Sequence, residues 1–309
     1  MKIGQFKLNG EKKIIIIDNG NVYQNIENFS PHTIDLINEL RDEYLSEKIL
    51  NLIKNKKFVK ISDDEQFIEK NNYQFNKPLD PPEAWAVGVT YKRQALEHDK
   101  NINESGKKEN LYYYVYANDR AEVFFKGNNR TIFGNEQTLM LRCDSNLVMP
   151  EAELVLILGK KGLPIAYTLG NDLTAWDIEK DSPLYLSQAK IWSGSGSIGP
   201  WIIPSEKVNN PYDIEIGCTV KRENKIVLNS KGNTSGLKRS IEELCYYLNL
   251  SNEIPTGTVL FTGTACVIDH EFGLKKNDEV IIYNNLIGEL KNKIDRYKKV
   301  EKNFIKRDK

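Results

Sequence analysis

Apolar runs rich in β-branched residues follow one another through most of the chain, and they restrict its fold more than any other feature. From about residue 79 onward the runs are AWAVGV, EVFFK, LVLIL, WIIP, YDIEIGCTV, KIVL, TVLFT and EVIIY. Clusters of Gly, Pro, Asn and Asp separate them, which is typical of strands joined by turns. The pattern predicts a mostly β domain over residues 79–309.

Two segments of this region have helical spacing instead. A helix is expected from about Ser235 to Leu248, behind a Thr234 or Ser235 cap, with Leu237, Ile241, Leu244 and Leu248 on one face. The tail over residues 291–309 is basic and carries Ile294, Tyr297 and Phe304 at roughly helical spacing. Such a tail predicts a solvated terminal helix or a frayed end.

The first 78 residues predict a small α/β domain of their own. Asn9-Gly10 and Asn19-Gly20 interrupt short apolar runs, and they favour hairpin turns because both residue types accept positive φ. Apolar residues at helical spacing predict helices between residues 34 and 53. The polar stretch 62–77, which closes on Pro78, predicts a linker. The expected fold class is α+β, with domains over 1–78 and 79–309.

Composition favours a small-molecule partner. Lys plus Arg equals Asp plus Glu, at 43 each, so the net charge gives no reason to expect binding to nucleic acid or to an anionic membrane. The N-terminal apolar run falls far short of the roughly 20 residues that cross a membrane. The four cysteines are scattered singly, without zinc or redox spacing, which predicts reduced thiols in a cytoplasmic protein.

Three carboxylates form a candidate metal site. Glu151 and Glu153 lie two residues apart at the head of the strand LVLIL, so both side chains point to one face. Asp172 follows after a turn and could meet them from a neighbouring strand. Carboxylates without His or Cys suit a hard ion such as Mg²⁺, with Mn²⁺ or Ca²⁺ as alternatives. Taken alone, a pair of glutamates on an edge strand more often faces water.

Three other patterns in the sequence have simpler explanations. Asp177, Glu179 and Asp181 alternate as well, but their polar, turn-prone surroundings predict a solvated surface. The glycines of GSGSIGP have the spacing of a dinucleotide motif, yet a proline-flanked strand follows them instead of a helix. None of the three histidines accompanies a serine in a nucleophile elbow.

Alternation in EVFFK places Glu122, Phe124 and Lys126 on one face. A carboxyl group partly buried beside an aromatic ring tends to have a raised pKa, which suits a general acid or base. The competing interpretation is an edge-strand glutamate paired with Lys126 in solvent. Arg93 and Lys126 are candidate anchors for a substrate carboxylate or hydroxyl, although a structural or solvent-facing charge is the commoner role.

Four ordered motifs resemble the fumarylacetoacetate hydrolase superfamily over roughly residues 83–292: PEAELVLILGKKG, AYTLGNDLTAWDIE, AK with a Gly-rich loop closing on GPW, and TGTVLFTGT. The resemblance implies a rolled, mostly β catalytic domain in a homo-oligomer, a dimer or tetramer. It also implies that Glu151, Glu153 and Asp172 bind the metal, that Lys190 is the active-site lysine, and that Thr264 holds a substrate carboxylate.

Departures from the family pattern narrow the chemistry. VGVTYKRQALE resembles a family segment in which hydrolytic and decarboxylating members keep a histidine, but Gln94 stands at that position while Glu97 retains the acidic partner. A glutamine cannot accept a proton from water, so the usual dyad is missing. Trp176 stands where the family has an arginine. These changes predict an enzyme other than a carbon–carbon hydrolase.

RAEVFFKG, LRCDSNLVMPEAEL and AKIWSGSGSIGP are similar to the superfamily branch that dehydrates 2-keto-3-deoxy sugar acids. This resemblance implies a hydro-lyase that converts 2-dehydro-3-deoxy-D-arabinonate to 2,5-dioxopentanoate in pentose catabolism. Glu122 is then the leading acid/base candidate. Lys190 is the second, either stabilising an enolate or transferring a proton if burial lowers its pKa.

Two alternatives remain open from the sequence. One is an acylpyruvate-type hydrolase, decarboxylase or isomerase on the same fold, which would have to activate water without a histidine at Gln94, through Glu97 for example. The other is a non-catalytic protein that binds 2-oxo acids, expected if the carboxylates do not converge.

Overall fold

The computed structural model describes residues 1–40, 43–104 and 110–298. Its strands are β1 Lys2–Leu8, β2 Glu11–Asp18, β3 Asn21–Asn25, β4 Phe58–Ser62, β5 Gln74–Phe75, β6 Ala84–Gly88, β7 Glu122–Gly127, β8 Ile132–Phe133, β9 Leu139–Leu141, β10 Val148–Met149, β11 Ala152–Leu158, β12 Pro164–Asp172, β13 Thr174–Ala175, β14 Gly196–Pro204, β15 Glu215–Arg222, β16 Lys225–Asn233, β17 Val259–Thr264, β18 Glu279–Asn284 and β19 Gly288–Arg296. Its α-helices are α1 Thr33–Asn38, α2 Leu45–Lys54, α3 Phe67–Lys70, α4 Lys92–Glu104, α5 Leu111–Ala117, α6 Trp176–Asp181, α7 Leu186–Lys190 and α8 Ile241–Asn249.

A long, mixed sheet runs through the molecule in the order β4-β3-β2-β1-β14-β12-β11-β17-β6-β7, with β5 beside β1 and β8 beside β14. Its middle strand, β11, is buried along its whole length. Leu154 and Leu156 point into one apolar core, and Val155 and Ile157 point into the other. Burial on both faces explains why LVLIL is a continuous apolar run and not an alternating one.

A second sheet, in the order β16-β15-β18-β19-β9, covers one face of β11 and β12. Ile216, Val220 and Ile282 of this sheet belong to the same core as Leu154 and Leu156. Two packed sheets around one core give the rolled, mostly β architecture that was expected. The site described below lies at one end of β11 and β12.

The N-terminal segment begins with the two predicted hairpins. Asn9-Gly10 and Asn19-Gly20 both have positive φ, and β1, β2 and β3 pair antiparallel across them. Strand β1 then pairs with β14 through Ile3 and Ile202, so the N-terminal strands extend the long sheet and share its core. The division into domains over 1–78 and 79–309 stays a prediction.

Three local expectations were wrong. The stretch 62–77 is not a plain linker, because it contains α3 and the strand β5, which pairs with β1. Helix α8 begins at Ile241 behind Ser240, whose hydroxyl accepts a hydrogen bond from the Glu243 amide at 3.1 Å. Thr234 cannot cap that helix because its hydroxyl binds the Ile214 amide and the Pro211 carbonyl.

The predicted terminal helix is instead a strand as far as the structure describes it. Residues 291–296 belong to β19, where Ile294 is buried and pairs with Leu139 of β9. Lysines alternate with buried residues there, which is a period of two. The rest of that prediction, residues 299–309, lies outside the described residues. Within the described ranges, the helices are too short or too polar to cross a membrane.

Stability should depend strongly on the buried middle strand. Leu156→Ala removes a fully buried side chain from β11, and we expect it to lower the free energy of unfolding by about 2–5 kcal/mol. Leu184→Ala is the matched control, because Leu184 is 90% exposed and should change the value by no more than about 0.5 kcal/mol. Urea denaturation checks both, and equal effects would contradict the packing described here.

Candidate active site

The pairing of β11 with β12 gathers three carboxylates. Glu153 lies opposite Gly170, and the amide of Asp172 donates to the carbonyl oxygen of Glu151 at 2.9 Å. One carboxylate oxygen from each of Glu151, Glu153 and Asp172 lies within 4.8 Å of the others. Glu153 and Asp172 are buried, and Glu151 is partly exposed. The structure thus brings together the three residues that were predicted to bind a metal.

Backbone geometry aims Glu153 into this cluster. The register between β11 and β17 shifts beside Glu153, and Gly263 there has a φ of +92°, which glycine adopts without strain. The Gly263 amide donates to Glu153 Oε2 at 2.7 Å. A Cβ atom at Gly263 would lie 2.0 Å from the hydroxyl of Thr90, so the strand needs glycine at this point.

Lys190 ends helix α7 and reaches into the same cluster. Its Nζ lies 2.9 Å from Glu151 Oε2, 3.3 Å from Asp172 Oδ2 and 2.5 Å from the hydroxyl of Thr174. Burial alone would lower the pKa of Lys190, but the carboxylates of Asp172, Glu151 and Glu179 outweigh it and raise the pKa well above its ordinary value. The expectation that burial lowers the pKa was therefore wrong, and these side chains keep Lys190 as an ammonium ion.

The cluster suits a divalent cation. Burial, with the nearby charges of Asp172 and Glu151, raises the pKa of Glu153 well above its ordinary value of 4.5. The pKa of Asp172 is lowered in spite of burial, because Lys126 and Lys190 lie beside it. A carboxyl group forced to keep its proton among other carboxylates is one that a cation would stabilise in its ionised form. An all-oxygen donor set of this kind fits Mg²⁺.

Glu122 faces the cluster from β7. It lies opposite Gly88 of β6, where a Cβ atom would meet Glu122 Oε2 at 2.2 Å, so the glycine leaves room for the carboxyl group. Burial raises the pKa of Glu122; the positive charge of Lys190 opposes this shift, and Glu151 adds to it. Phe124, two residues along, lies under the Lys190 ammonium at 5.8 Å from Nζ to the ring centre. Both side chains line the cavity, as alternation predicted.

Lys126 and Arg93 do not reach the cavity. Lys126 is fully buried behind Asp172, with its Nζ 2.5 Å from Asp172 Oδ1 and bonded to the carbonyl oxygens of Leu173, Lys190 and Ser195. Arg93 lies on the exposed side of α4. Both were predicted as substrate anchors. Lys126 lies on the same face of β7 as Glu122 and Phe124, but two residues farther along the strand than Phe124. Its ammonium group therefore holds Asp172 and does not reach the cavity.

Thr264, the last residue of β17, does line the cavity. Its hydroxyl accepts a hydrogen bond from the Cys266 amide at 3.2 Å, which fixes the turn that follows the strand. Binding of a substrate carboxylate by Thr264 stays a prediction.

Sequence reasoning missed Glu179. The alternation of Asp177, Glu179 and Asp181 suggested a solvated surface, but this segment is helix α6, where residues two apart point in different directions. Glu179 shares its helical face with Trp176 three residues earlier, and both are buried. Burial raises the pKa of Glu179 to about 7, while Lys190 opposes the rise. The i, i+3 spacing of Trp176 and Glu179 was the signal available in the sequence.

An aromatic wall borders the cavity through His98 and Tyr112, and it was also missed. His98 stacks on Tyr112 at 4.7 Å between ring centres, and Trp176 stacks on His270 at 4.6 Å. Burial lowers the pKa of His98, so the ring is neutral. His98 lies one helical turn beyond Gln94 on α4, and both residues line the cavity. The wall joins α4, α5 and α6, which the sequence did not place together.

The space between these groups holds about 430 Å³ when the part that is open solvent is counted. Glu122, the three clustered carboxylates, Lys190 and Thr264 all border it. A set of carboxylates for a cation, a fixed ammonium ion and a separate carboxyl group can bind a small organic acid and move a proton to or from it.

Comparison with known sequences shows the family of this chain. A family model described as "Fumarylacetoacetate (FAA) hydrolase C-terminal" matches residues 83–295. The chain belongs to the fumarylacetoacetate hydrolase family. The predicted family and the predicted fold class are thereby confirmed.

Two relatives of the chain are named as dehydratases. The chain is 36% identical over 232 residues to 2-dehydro-3-deoxy-D-arabinonate dehydratase of Saccharolobus solfataricus, covering 74% of this chain and 77% of the relative. It is 35% identical over 233 residues to the probable 2-keto-3-deoxyxylonate dehydratase of Haloferax volcanii, covering 75% of this chain and 77% of the relative.

A solved structure of related fold includes ligands. It is a 2-keto-3-deoxy-D-arabinonate dehydratase complexed with magnesium and 2,5-dioxopentanoate. The two chains superpose with a TM-score of 0.79 at 31% identity, covering 97% of this chain and all of that one.

Substitution of Lys126 tests whether this lysine stabilises the buried carboxylate of Asp172. Lys126→Met removes the closer of the two lysines beside the buried carboxylate of Asp172, and we expect it to lower the free energy of unfolding by about 3–5 kcal/mol. Lys231→Met is the control, because its 2.7 Å pair with Glu215 is exposed to solvent, so its loss should lower the free energy of unfolding far less. A loss at Lys126 as small as that at Lys231 would show that Asp172 is held by other groups.

Binding of Mg²⁺ should release protons. The raised pKa of Glu153 means that the metal-free folded protein keeps a proton that the unfolded chain loses, so its stability falls as the pH rises from 4.5 toward the raised pKa. Mg²⁺ must displace that proton, so its affinity should increase as the pH rises toward the raised pKa of Glu153.

Calorimetric titration in two buffers of different ionisation enthalpy measures the proton release. Glu153→Gln should weaken binding and remove the release, whereas Glu253→Gln, at an exposed position, should change neither. Affinity that does not vary with pH would contradict the protonation of Glu153.

Proposed function

We propose that the chain removes water from a 2-dehydro-3-deoxypentonate, 2-dehydro-3-deoxy-D-arabinonate in the first instance, and forms 2,5-dioxopentanoate. The observation that carries the proposal is the single cavity shared by the three clustered carboxylates, Lys190 and Glu122. Support also comes from the dehydratase names of two relatives at 35–36% identity. The reaction is a hydro-lyase step in pentose catabolism and needs no redox cofactor.

Glu151, Glu153 and Asp172 would hold Mg²⁺, with Mn²⁺ or Ca²⁺ as alternatives. When bound, such an ion acts as a Lewis acid toward the 2-oxo group of the substrate and makes the hydrogens at C3 more acidic. Lys126 and Thr174 hold two of the three carboxylates in place, at 2.5 Å from Asp172 and 2.6 Å from Glu151.

Three residues of the chain have separate roles in the proposed reaction. Glu122, a carboxyl group that lines the cavity outside the cluster, takes a proton from C3 of the substrate. The Lys190 ammonium stabilises the negative charge that develops on the 2-oxo oxygen. Thr264 binds the substrate carboxylate. Loss of the C4 hydroxyl as water and proton shifts between C3, C4 and C5 complete the reaction.

The assay uses purified protein, 2-keto-3-deoxy-D-arabinonate and Mg²⁺, with product detected through a coupled aldehyde dehydrogenase. We expect product only with the metal, and a loss of at least about 100-fold in Glu151→Gln and Glu122→Gln. The C4 epimer tests the stereochemistry of the substrate.

Two outcomes would contradict the proposal. If both sugar acids are inert and acylpyruvates are consumed, the chain is a hydrolase, decarboxylase or isomerase of this fold, with His98 beside Gln94 as the candidate base. If no 2-oxo acid is consumed but one binds, the protein is a binding protein.

We also propose a cytoplasmic homo-oligomer, a dimer or tetramer. All four cysteines are free in the described part of the chain, and three of them are buried. Thiols of this kind suit a reducing compartment. Analytical ultracentrifugation measures the assembly, and a monomer would contradict it.

A further inference from the structure

Glu179 is a buried carboxyl group that the proposed function does not use. Its Oε1 accepts a hydrogen bond from the hydroxyl of Tyr112 at 2.9 Å. Its Oε2 is buried and has no hydrogen-bond partner among the residues that the structure describes. The side chain lines the same cavity as Glu122 and Lys190. A buried oxygen without a partner is costly, so this one is expected to meet a group that enters the cavity.

Glu179 and Glu122 also border a second, apolar space. Val89, Leu111, Val115 and Leu186 line it with them. Low polarity around a carboxyl group favours its protonated form. The pKa of Glu179, about 7, therefore allows a substantial protonated fraction near neutral pH, and the negative charge of Glu122 contributes to that rise.

The proposed dehydration needs an acid as well as a base. Glu122 acquires a proton when it removes one from C3 of the substrate. A carboxyl group that has just accepted that proton on one side of the substrate is poorly placed to deliver it at once to the C4 hydroxyl. Lys190 is held by Glu151, Asp172 and Thr174. His98 is neutral and packed among rings. Glu179 is the remaining carboxyl group on the cavity wall outside the cluster, counted over the described residues.

We propose that Glu179 is a second catalytic carboxyl group, which protonates the departing C4 hydroxyl and afterwards accepts a proton from C5. The inference rests on the proposed function and extends it to the division of labour between Glu122 and Glu179. Tyr112 is the positioning residue, because its hydroxyl holds Oε1 and leaves Oε2 without a hydrogen-bond partner among the described residues.

The proton balance closes over one turnover. Ionised Glu122 takes a proton from C3, the C4–O bond breaks, and protonated Glu179 supplies the proton that makes the leaving group water. The product of this step is a 2-oxo acid with a C3–C4 double bond. Ionised Glu179 then takes a proton from C5, and Glu122 returns its proton to C3, which leaves an enol at C4 and C5.

Conversion of that enol to the aldehyde adds a proton at C4 and removes one from the C5 hydroxyl. Glu179 can do both, because it is protonated again at this stage and recovers a proton from the hydroxyl. Both carboxyl groups end in their starting protonation states, and the sum is the loss of one water molecule.

Glu179→Gln separates the two roles. The amide oxygen can still accept from Tyr112, but the side chain cannot donate a carboxylic proton. With 2-keto-3-deoxy-D-arabinonate and Mg²⁺ in D₂O, we expect proton NMR to show deuterium entering C3 of unconsumed substrate, because each enolate that fails to eliminate returns to substrate. Product formation should fall by at least about 100-fold. Glu122→Gln should lose both exchange and product.

Controls separate a catalytic loss from a folding loss. Asp181→Asn makes the same chemical change at an exposed position of the same helix and should leave both readouts unchanged. The rise in melting temperature caused by Mg²⁺ should be equal in Glu179→Gln and the parent protein, since Glu179 is not a member of the cluster. Exchange at C3 of 2-oxopentanoate, which has no C4 hydroxyl, should persist in Glu179→Gln.

Three results would overturn the role of Glu179: product formed at the parental rate by Glu179→Gln, loss of C3 exchange together with product, or loss of the Mg²⁺ response. Failure of the proposed function looks different, because the parent protein itself would then form no 2,5-dioxopentanoate. The parent assay therefore distinguishes the two failures.

Discussion

Electrostatic compensation among like charges is the constraint on which the rest of this structure depends. Three carboxylates with oxygens within 4.8 Å repel one another, and two of them are buried. Their positions follow from the antiparallel register of two central strands, and Lys126 and Lys190 offset part of the charge. The remaining negative charge is what a divalent cation would neutralise. Both faces of these strands are buried in apolar cores, which hold the cluster at their ends.

The cavity has the carboxylate cluster on one side and the aromatic wall on another. Helices α4 and α5 are held together by Asp99, which accepts hydrogen bonds from the amides of Tyr112 and Tyr113 at 3.0 and 2.7 Å. The wall keeps Glu122 and Glu179 in surroundings that favour their protonated forms, whereas Asp172 stays ionised beside two lysines. Carboxyl groups of one type thus acquire different roles from different surroundings.

Local sequence rules predicted the parts of the site that lie on strands. Period-two spacing placed Glu151 and Glu153 on one face, and resemblance to the family pointed to Lys190. The same rule failed at α6, because this short polar stretch is helical and its informative spacing is the i, i+3 pair of Trp176 and Glu179. Glu179 was therefore assigned to the surface. The rule also failed at Lys126. Alternation gives the face of the strand on which a side chain lies, but it does not show that Lys126 pairs with the buried Asp172 and does not reach the cavity. The pairing of β1 with β14 depends on contacts between residues about 200 positions apart, which local patterns do not contain.

We propose that one cavity binds a divalent cation at the carboxylate cluster and a 2-oxo acid beside Lys190 and Glu122. Crystals grown with Mn²⁺ and pyruvate, a 2-oxo acid without a C4 hydroxyl, test it most directly through anomalous scattering. We expect one strong peak between Glu151, Glu153 and Asp172, with the acid beside Lys190 and Glu122. A cavity without a peak, or an acid bound elsewhere while the carboxylates stay bonded to Lys190 and Lys126 alone, would contradict it.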